Sequence, residues 1–233
     1  MNPPLDPLLA PFLNPSMNPL ATPMQLRKRI VFDLGAVLFQ WHPQAMLQRE
    51  LPHLAFDDGS ARHWVGQIFQ NYQGDWGEFD RGTVTVPELV HRISRRTGLT
   101  AADVHTVVQA VPLELQPMAD SVQLLQRLHA AGHTLHYLSN MPAPYADILE
   151  KNAFFDCFES GIFSARVHHN KPEPAIFELA QQLYGVPASE LVFLDDHAPN
   201  VQAAQALGWN AIQFRQAQQA ELDLRAAGWV TAL

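Results

Sequence analysis

Hydrophobic residues in this chain gather into short unbroken runs that stop abruptly at polar or acidic positions. Ile30-Val31-Phe32 ends at Asp33-Leu34-Gly35, Leu135-His136-Tyr137-Leu138 at Ser139-Asn140, and Leu191-Val192-Phe193-Leu194 at Asp195-Asp196. A shorter run, Ala211-Ile212-Gln213-Phe214, follows Gly208. Apolar runs of this length, without polar alternation, predict strands buried on both faces of a sheet. Between them the apolar spacing becomes helical. Val122, Leu124, Leu125 and Leu128 share a face before Gly132, and Ile176, Leu179, Ala180 and Leu183 lie between Pro174 and Gly185. Val201, Ala204, Ala206 and Leu207 make a third helical face before Gly208. Proline in a first turn and glycine just past the last are the expected helix boundaries. Strands alternating with helices predict an α/β fold, a Rossmann-like parallel sheet with helices on both faces. Ligands bind such sheets beyond the carboxyl ends of the strands. Asp33, Ser139, Asn140, Asp195 and Asp196 all fall there, which makes them candidate site residues.

The pattern changes between about Trp41 and Leu115. This stretch is rich in aromatic residues, His and Arg, shows helical spacing at Leu89, Val90 and Ile93, and has no clear buried strand. It is expected to be a small α-helical cap, residues 41–115, inserted after the first strand, with 27–40 and 116–233 forming the core. Residues 1–26 carry prolines at 3, 4, 7, 11, 15, 19 and 23. That spacing blocks helix continuation and strand pairing, so a disordered or extended tail is expected.

Composition narrows the function classes. With 233 residues, 47% of them hydrophobic, the chain can build one sizeable core and a smaller accessory unit. A net charge of −8 without a basic cluster excludes a nucleic-acid partner that needs a positive face. A small anionic substrate is still allowed, because a bound metal reverses the local field. The single Cys157 excludes an internal disulfide framework and fits the cytoplasm; packing between Phe155 and Phe158 is its expected role. No run approaches the ~18 apolar residues of a membrane span, and the start lacks the basic and apolar regions of a signal peptide.

Four separated pieces then carry a family resemblance: Phe32-Asp33-Leu34-Gly35-Ala36-Val37, Leu138-Ser139-Asn140, Lys171-Pro172-Glu173-Pro174 and Phe193-Leu194-Asp195-Asp196. In this order the chain resembles the haloacid dehalogenase superfamily over residues 29–215. More narrowly, it is similar to the phosphatase branch with a small helical cap, which includes bacterial glucose-1-phosphate phosphatases. Trp41-His42-Pro43 and Phe79-Asp80-Arg81-Gly82 also look like this branch. The resemblance implies a magnesium-dependent phosphatase acting on a small phosphorylated metabolite, such as a sugar phosphate. Asp33 would be the nucleophile and form an aspartyl-phosphate. Ser139 and the backbone N–H of Asn140 would bind a phosphoryl oxygen, and Lys171 would offset the shared negative charge. Asp33, the carbonyl of Gly35, Asp196 and, in support, Asp195 would hold Mg2+, a cation that prefers hard oxygen ligands. Asn200 would replace a further acid and accept a hydrogen bond from a metal-bound water.

One departure bears on turnover. Phosphatases of this superfamily mostly carry a second aspartate two residues after the nucleophile, as proton donor to the leaving oxygen. Here Gly35 stands in that place. General acid–base help is worth about 10²–10⁴-fold. Three outcomes follow: a substrate with a good leaving group, a proton from a cap residue such as His42 or Asp80, or a weak or inactive relative that binds a partner. A 2-haloacid dehalogenase, in which Asp33 attacks carbon, is the competing chemistry; the pair Asp195-Asp196 speaks against it. Bland readings accompany the rest. His168-His169 reads as surface loop, Trp64, Tyr72 and Trp76 as cap core, and Asp80-Arg81 as a salt bridge or turn as readily as a substrate contact.

Overall fold

The computed structural model describes residues 28–231, so the proline-rich segment 1–26 lies outside the described residues. The first strand, β1 (Arg29–Phe32), is followed by five helices: α1 (Pro43–Glu50), α2 (Asp58–Phe69), α3 (Gly74–Asp80), α4 (Val86–Thr97) and α5 (Ala101–Glu114). The chain then alternates through α6 (Ala119–Ala130), β2 (Thr134–Ser139), α7 (Ala143–Leu149), β3 (Ser160–Phe163), α8 (Ser164–Val167) and α9 (Pro174–Tyr184). It ends with β4 (Leu191–Asp195), α10 (Ala198–Ala206), β5 (Asn210–Gln213) and α11 (Ala217–Ala226).

The strands form one sheet in the order β3-β2-β1-β4-β5, with every pairing parallel. β1 is central, and the strand order reverses there, so a crevice opens at its carboxyl end. Phe32 is level with Tyr137 on one side and Leu194 on the other. The Asp33 N–H donates to the Leu194 carbonyl at 2.8 Å and carries the ladder one residue further. Asp33 is thereby held at the mouth of the crevice by backbone geometry.

Helix boundaries follow the local chemistry. Gly185 ends α9 in the left-handed region at φ 69°, and Gly132 and Gly208 take φ 84° after α6 and α10. Asp57 and Thr100 cap α2 and α5 by accepting from the backbone N–H three residues on. One face of the sheet packs Val31, Leu138, Ile162 and Phe193 against Phe177, Ala180 and Trp209. The other face packs Phe32 and Leu194 into a larger core that also holds Leu89, Ile93, Trp76 and Phe79 from the inserted helices. Insert and sheet therefore share one apolar interior.

β3 is the strand that the apolar pattern did not predict. It has four residues, two of them Ser160 and Gly161, both poor strand signals. Gly161 is there for space: a Cβ would lie 2.2 Å from the Tyr137 ring. β5 runs from Asn210 to Gln213, one residue earlier than its pattern predicted.

His136 interrupts the apolar run of β2 and is fully buried. Its ring stacks on Tyr184 at 4.1 Å, and Nδ1 shares a 2.9 Å hydrogen bond with Ser160 Oγ. Nε2 has no partner among the described residues. Burial, then the nearby Arg29 charge, pushes its pKa down to about 3. The unfolded chain, near 6.5, binds the extra proton between those values. This residue's contribution is thus complete above about pH 6.5 and shrinks as pH falls toward 3. In His136→Leu the urea midpoint should fall less between about pH 8 and pH 5 than in the wild type. An equal fall in both proteins would contradict the assignment.

Candidate active site

The polar ends of β1, β2 and β4 meet in the crevice, joined by the loop before α9. Lys171, on that loop, is buried, and its Nζ lies 2.9 Å from Asp33 Oδ1 and 2.7 Å from Asp195 Oδ2. Burial would depress the ammonium, but Asp195 and Asp33 outweigh it and hold the lysine charged. Asp33 also accepts the Leu34 N–H at 2.7 Å. Burial pushes the Asp33 carboxyl up to about 7; Lys171 opposes the shift, and Asp195 and Asp196 reinforce it.

Asp195 is fully enclosed, and its oxygens accept from Lys171, from the His197 N–H at 2.8 Å, and from Asn200 Nδ2 at 3.1 Å to each oxygen. Asp196 is open to solvent. Ligand oxygens of Asp33, Asp195 and Asp196 lie within 4.8 Å of one another. Three carboxylates against one ammonium leave the cluster short of positive charge, and hard oxygen donors are what magnesium takes. The buried Asn200 Oδ1 has no partner among the described residues, an acceptor that a metal-bound water would satisfy. The residues present fit a divalent cation.

Two expected binding residues take more specific forms. Ser139 is buried and lines the cavity. The Asn140 side chain accepts from the Lys171 N–H and donates to the Lys171 carbonyl, both at 2.8 Å, and so clamps the backbone of the lysine loop. That role was not legible from sequence, since it depends on two loops being level. The Lys171-Pro172 peptide is cis.

The cavity above these groups has a volume of about 470 Å³. Asp33, Gly35, Ser139, Asn140, Lys171 and Asp196 form one end; α3, α5 and the segment before α3 form much of the rest. Gly35 faces it, and a Cβ added there would meet nothing within 4 Å. Asp80, at the end of α3, lines the same cavity with only 4% of its surface exposed. Its carboxyl has no hydrogen bond or ion pair among the described residues. Burial holds it well above the usual carboxylate range, opposed by Lys171. His42, in contrast, is 65% exposed beside Glu114 and takes no part in the cavity wall.

Several contacts tie α3 to the lysine loop. Arg81 bonds both oxygens of Glu173, at 2.9 and 2.5 Å, and donates to the His168 carbonyl. Ser164 donates to the Asp80 carbonyl at 2.5 Å and accepts from the Met141 N–H, while Asn170 donates to the Gly77 carbonyl. Gly82, at φ 76°, permits the close approach: a Cβ would sit 2.6 Å from the Ala165 carbonyl oxygen. Arg81 is thus a salt-bridge residue. His168 faces Arg81 and His169 faces Glu173 from a loop, separately rather than as a metal pair. Trp76 is core; Trp64 and Cys157 are half-buried at the core's margin, and Tyr72 lines the cavity. Gln70, Asn71 and Tyr72 all adopt left-handed backbone, uncommon for residues with a Cβ. This strained segment at the cavity mouth left no signal in the sequence.

An aspartate, a lysine and a carboxylate cluster thus meet at the switch point of a parallel α/β sheet, where such folds bind their ligands. The match to a family model named haloacid dehalogenase-like hydrolase covers residues 28–208, and the chain belongs to that family. It is 27% identical over 199 residues to the sesquiterpene phosphatase astK of Aspergillus oryzae, covering 85% of this chain and 95% of that protein. It is 25% identical to an (S)-2-haloacid dehalogenase of Pseudomonas putida, over 77% of this chain and 81% of the relative. A solved enzyme of the family from Bacteroides thetaiotaomicron, in complex with magnesium and inorganic phosphate, shares the fold at a TM-score of 0.64 and 23% identity, covering 81% of this chain and 94% of its own.

Removing the Lys171 charge should leave Asp33 and Asp195 facing each other unpaired. Breaking a buried pair typically costs about 3–5 kcal/mol. Urea denaturation of Lys171→Met in chelator should show a loss of that order, and a loss below about 1 kcal/mol would contradict the pairing.

Proposed function

We propose that the protein is a magnesium-dependent phosphatase that hydrolyses a small phosphorylated metabolite through an aspartyl-phosphate on Asp33. The observation that carries this reading is the pairing of Asp33 with Lys171 beside Asp195 and Asp196, three carboxylates gathered around one ammonium. Asp33, Asp196 and the Gly35 carbonyl would hold magnesium, which when bound would neutralise phosphoryl oxygens and favour the ionised nucleophile. Asp195 serves chiefly to hold Lys171, because its oxygens are already engaged. Ser139 and the Asn140 N–H bind the phosphoryl group, and Asn140 fixes the lysine loop. Helices α1 to α5 act as the cap that closes over the site. The phosphatase name of the Aspergillus relative supports the phosphoryl end of this reading. A sugar phosphate, the substrate of the resembling glucose-1-phosphate phosphatases, has Gly35 alone behind it. Cytoplasmic residence rests on the single cysteine; among the described residues no helix is long and apolar enough to cross a membrane.

Asp80 supplies the proton that residue 35 does not. Asp33 attacks phosphorus, the bond from phosphorus to the alcohol oxygen breaks, and the Asp80 proton goes to that oxygen. In the second step the Asp80 carboxylate takes a proton from the attacking water. The bond from phosphorus to Asp33 breaks, which frees phosphate and regenerates the nucleophile. A buried, unpartnered carboxyl whose pKa burial holds well above the usual carboxylate range suits this role, whereas exposed His42 does not.

The tests are kinetic. Asp33→Asn should abolish phosphate release from a panel of esters, and chelator should do the same to the wild type. Release equal to the wild type in Asp33→Asn would sink the mechanism. Asp80→Asn should lower kcat by about 10²-fold on alkyl esters and far less on p-nitrophenyl phosphate, whose leaving group needs no proton. Equal losses on both would remove Asp80 as the acid. Gly35→Asp, whose Cβ would meet nothing within 4 Å, should raise kcat on alkyl esters by about ten-fold or more.

Dehalogenation is the second reading, favoured by the glycine at 35 and by the Pseudomonas relative. It predicts halide release from 2-chloropropionate that survives chelator. Asp196, gathered with Asp33 and Asp195, has no task in that chemistry, which ranks it second.

A further inference from the structure

The phosphatase reading concerns one end of the cavity; the opposite end has a distinct chemistry. Its buried walls are Trp76, Val111, Leu115, Met141 and Tyr145. Most polar atoms among and beside them are already engaged, with the buried Asn170 Oδ1, the Tyr72 O–H proton and the Asp80 carboxyl as the exceptions. Tyr145 Oη donates to the Val108 carbonyl at 2.7 Å, Trp41 Nε1 donates to Tyr72 Oη at 2.6 Å, and Asn170 Nδ2 donates to the Gly77 carbonyl. Asn71 and Gln73, the amides without such bonds, are exposed at the rim. A sugar buried here would bring several hydroxyls to walls that offer few partners, and each unpaired polar group is costly.

Charge points the same way. Besides Lys171, the permanent cation of the wall is Arg81, and it is committed to Glu173 and Glu78. Lys171 is committed to Asp33 and Asp195. A second anionic group on the substrate, such as the carboxylate of 2-phosphoglycolate, would find no free lysine or arginine among the described residues of that wall, only Glu78 and Glu173 already paired with Arg81. The cavity, about 470 Å³, falls within the range of about 300–1,000 Å³ that encloses organic ligands much larger than phosphate itself.

We propose, building on the phosphatase reading, that the substrate is the monophosphate of an uncharged, mainly apolar alcohol. Its hydrocarbon lies against Trp76, Val111, Leu115, Met141 and Tyr145. The phosphate lies against Ser139 and Lys171. The ester oxygen between the two halves is the one polar atom that must be served mid-cavity.

The test is a comparison of wild-type kcat/KM, in magnesium, for geranyl monophosphate and octyl phosphate against glucose 1-phosphate and 2-phosphoglycolate. Acetyl phosphate, which scarcely reaches the apolar wall, reports the phosphoryl end alone. The apolar esters should lead the polar ones by at least about ten-fold, the discrimination that a few methylenes in an apolar pocket provide. Leu115→Gln, whose folding is checked by thermal melting, should shrink the ratio of octyl to acetyl phosphate by about ten-fold. Turnover of acetyl phosphate with equal or reversed ranking of the other esters would overturn the inference and leave the phosphatase reading standing. No phosphate from any ester, acetyl phosphate included, would overturn both. The wild-type ranking decides the matter if Leu115→Gln does not fold.

Discussion

A single buried ammonium organises this protein. Lys171 lies beneath the surface, where an isolated charge would be untenable, and it is accommodated because Asp33 and Asp195 reach it from adjacent strands. The partners are available only because β1 and β4 pair in parallel with Leu194 level with Phe32. A slip by one residue would turn an acid into the core and expel the charge. The surrounding bonds serve the same requirement: Asn140 fixes the lysine backbone, and Asn200 and the His197 N–H fix Asp195. Even so the balance stays negative, and a cluster of hard carboxylate oxygens with that deficit suits a divalent cation.

The inserted helices belong to the same physical unit as the sheet. Their apolar faces merge with the core under β1, and α3 is stitched to the lysine loop through Arg81, Ser164 and Asn170. The result brings Asp80 and Lys171, 91 positions apart in sequence, into one cavity wall. Apolar surface in that cavity comes from Trp76 and Val111 of the insert and from Met141 and Tyr145 beyond β2, so the insert supplies both a polar and an apolar contribution. The strand ends supply Asp33, Ser139 and Asp196.

Much of this was legible in the sequence, for reasons that differ by element. The apolar runs of β1, β2 and β4 are buried on both faces and so carry the strongest pattern, and their polar termini marked Asp33, Ser139, Asp195 and Asp196 correctly as neighbours at one sheet edge. Glycines at 132, 185 and 208 ended helices as their conformational freedom implies. β3 escaped because it is short and contains Gly161, whose reason for being there is the Tyr137 ring on the next strand. The Asn140 clamp and the isolation of the Asp80 carboxyl also escaped, since each depends on residues distant in sequence. His42 and Asp80 looked equivalent as acids until burial separated them.

The stitching of α3 to the lysine loop has a consequence for ligand traffic. Arg81, Ser164 and Asn170 join the two walls that carry Asp80 and Lys171 through an ion pair and side-chain-to-backbone hydrogen bonds. A gate cannot lie along that seam without dismantling the ion pair that the loop supports. The left-handed stretch Gln70-Asn71-Tyr72 adjoins that seam, since a Cβ on Gly77 would lie 2.8 Å from the Tyr72 carbonyl oxygen. The spacing between Asp80 and Lys171 is thus set by the contacts that join α3 to the lysine loop.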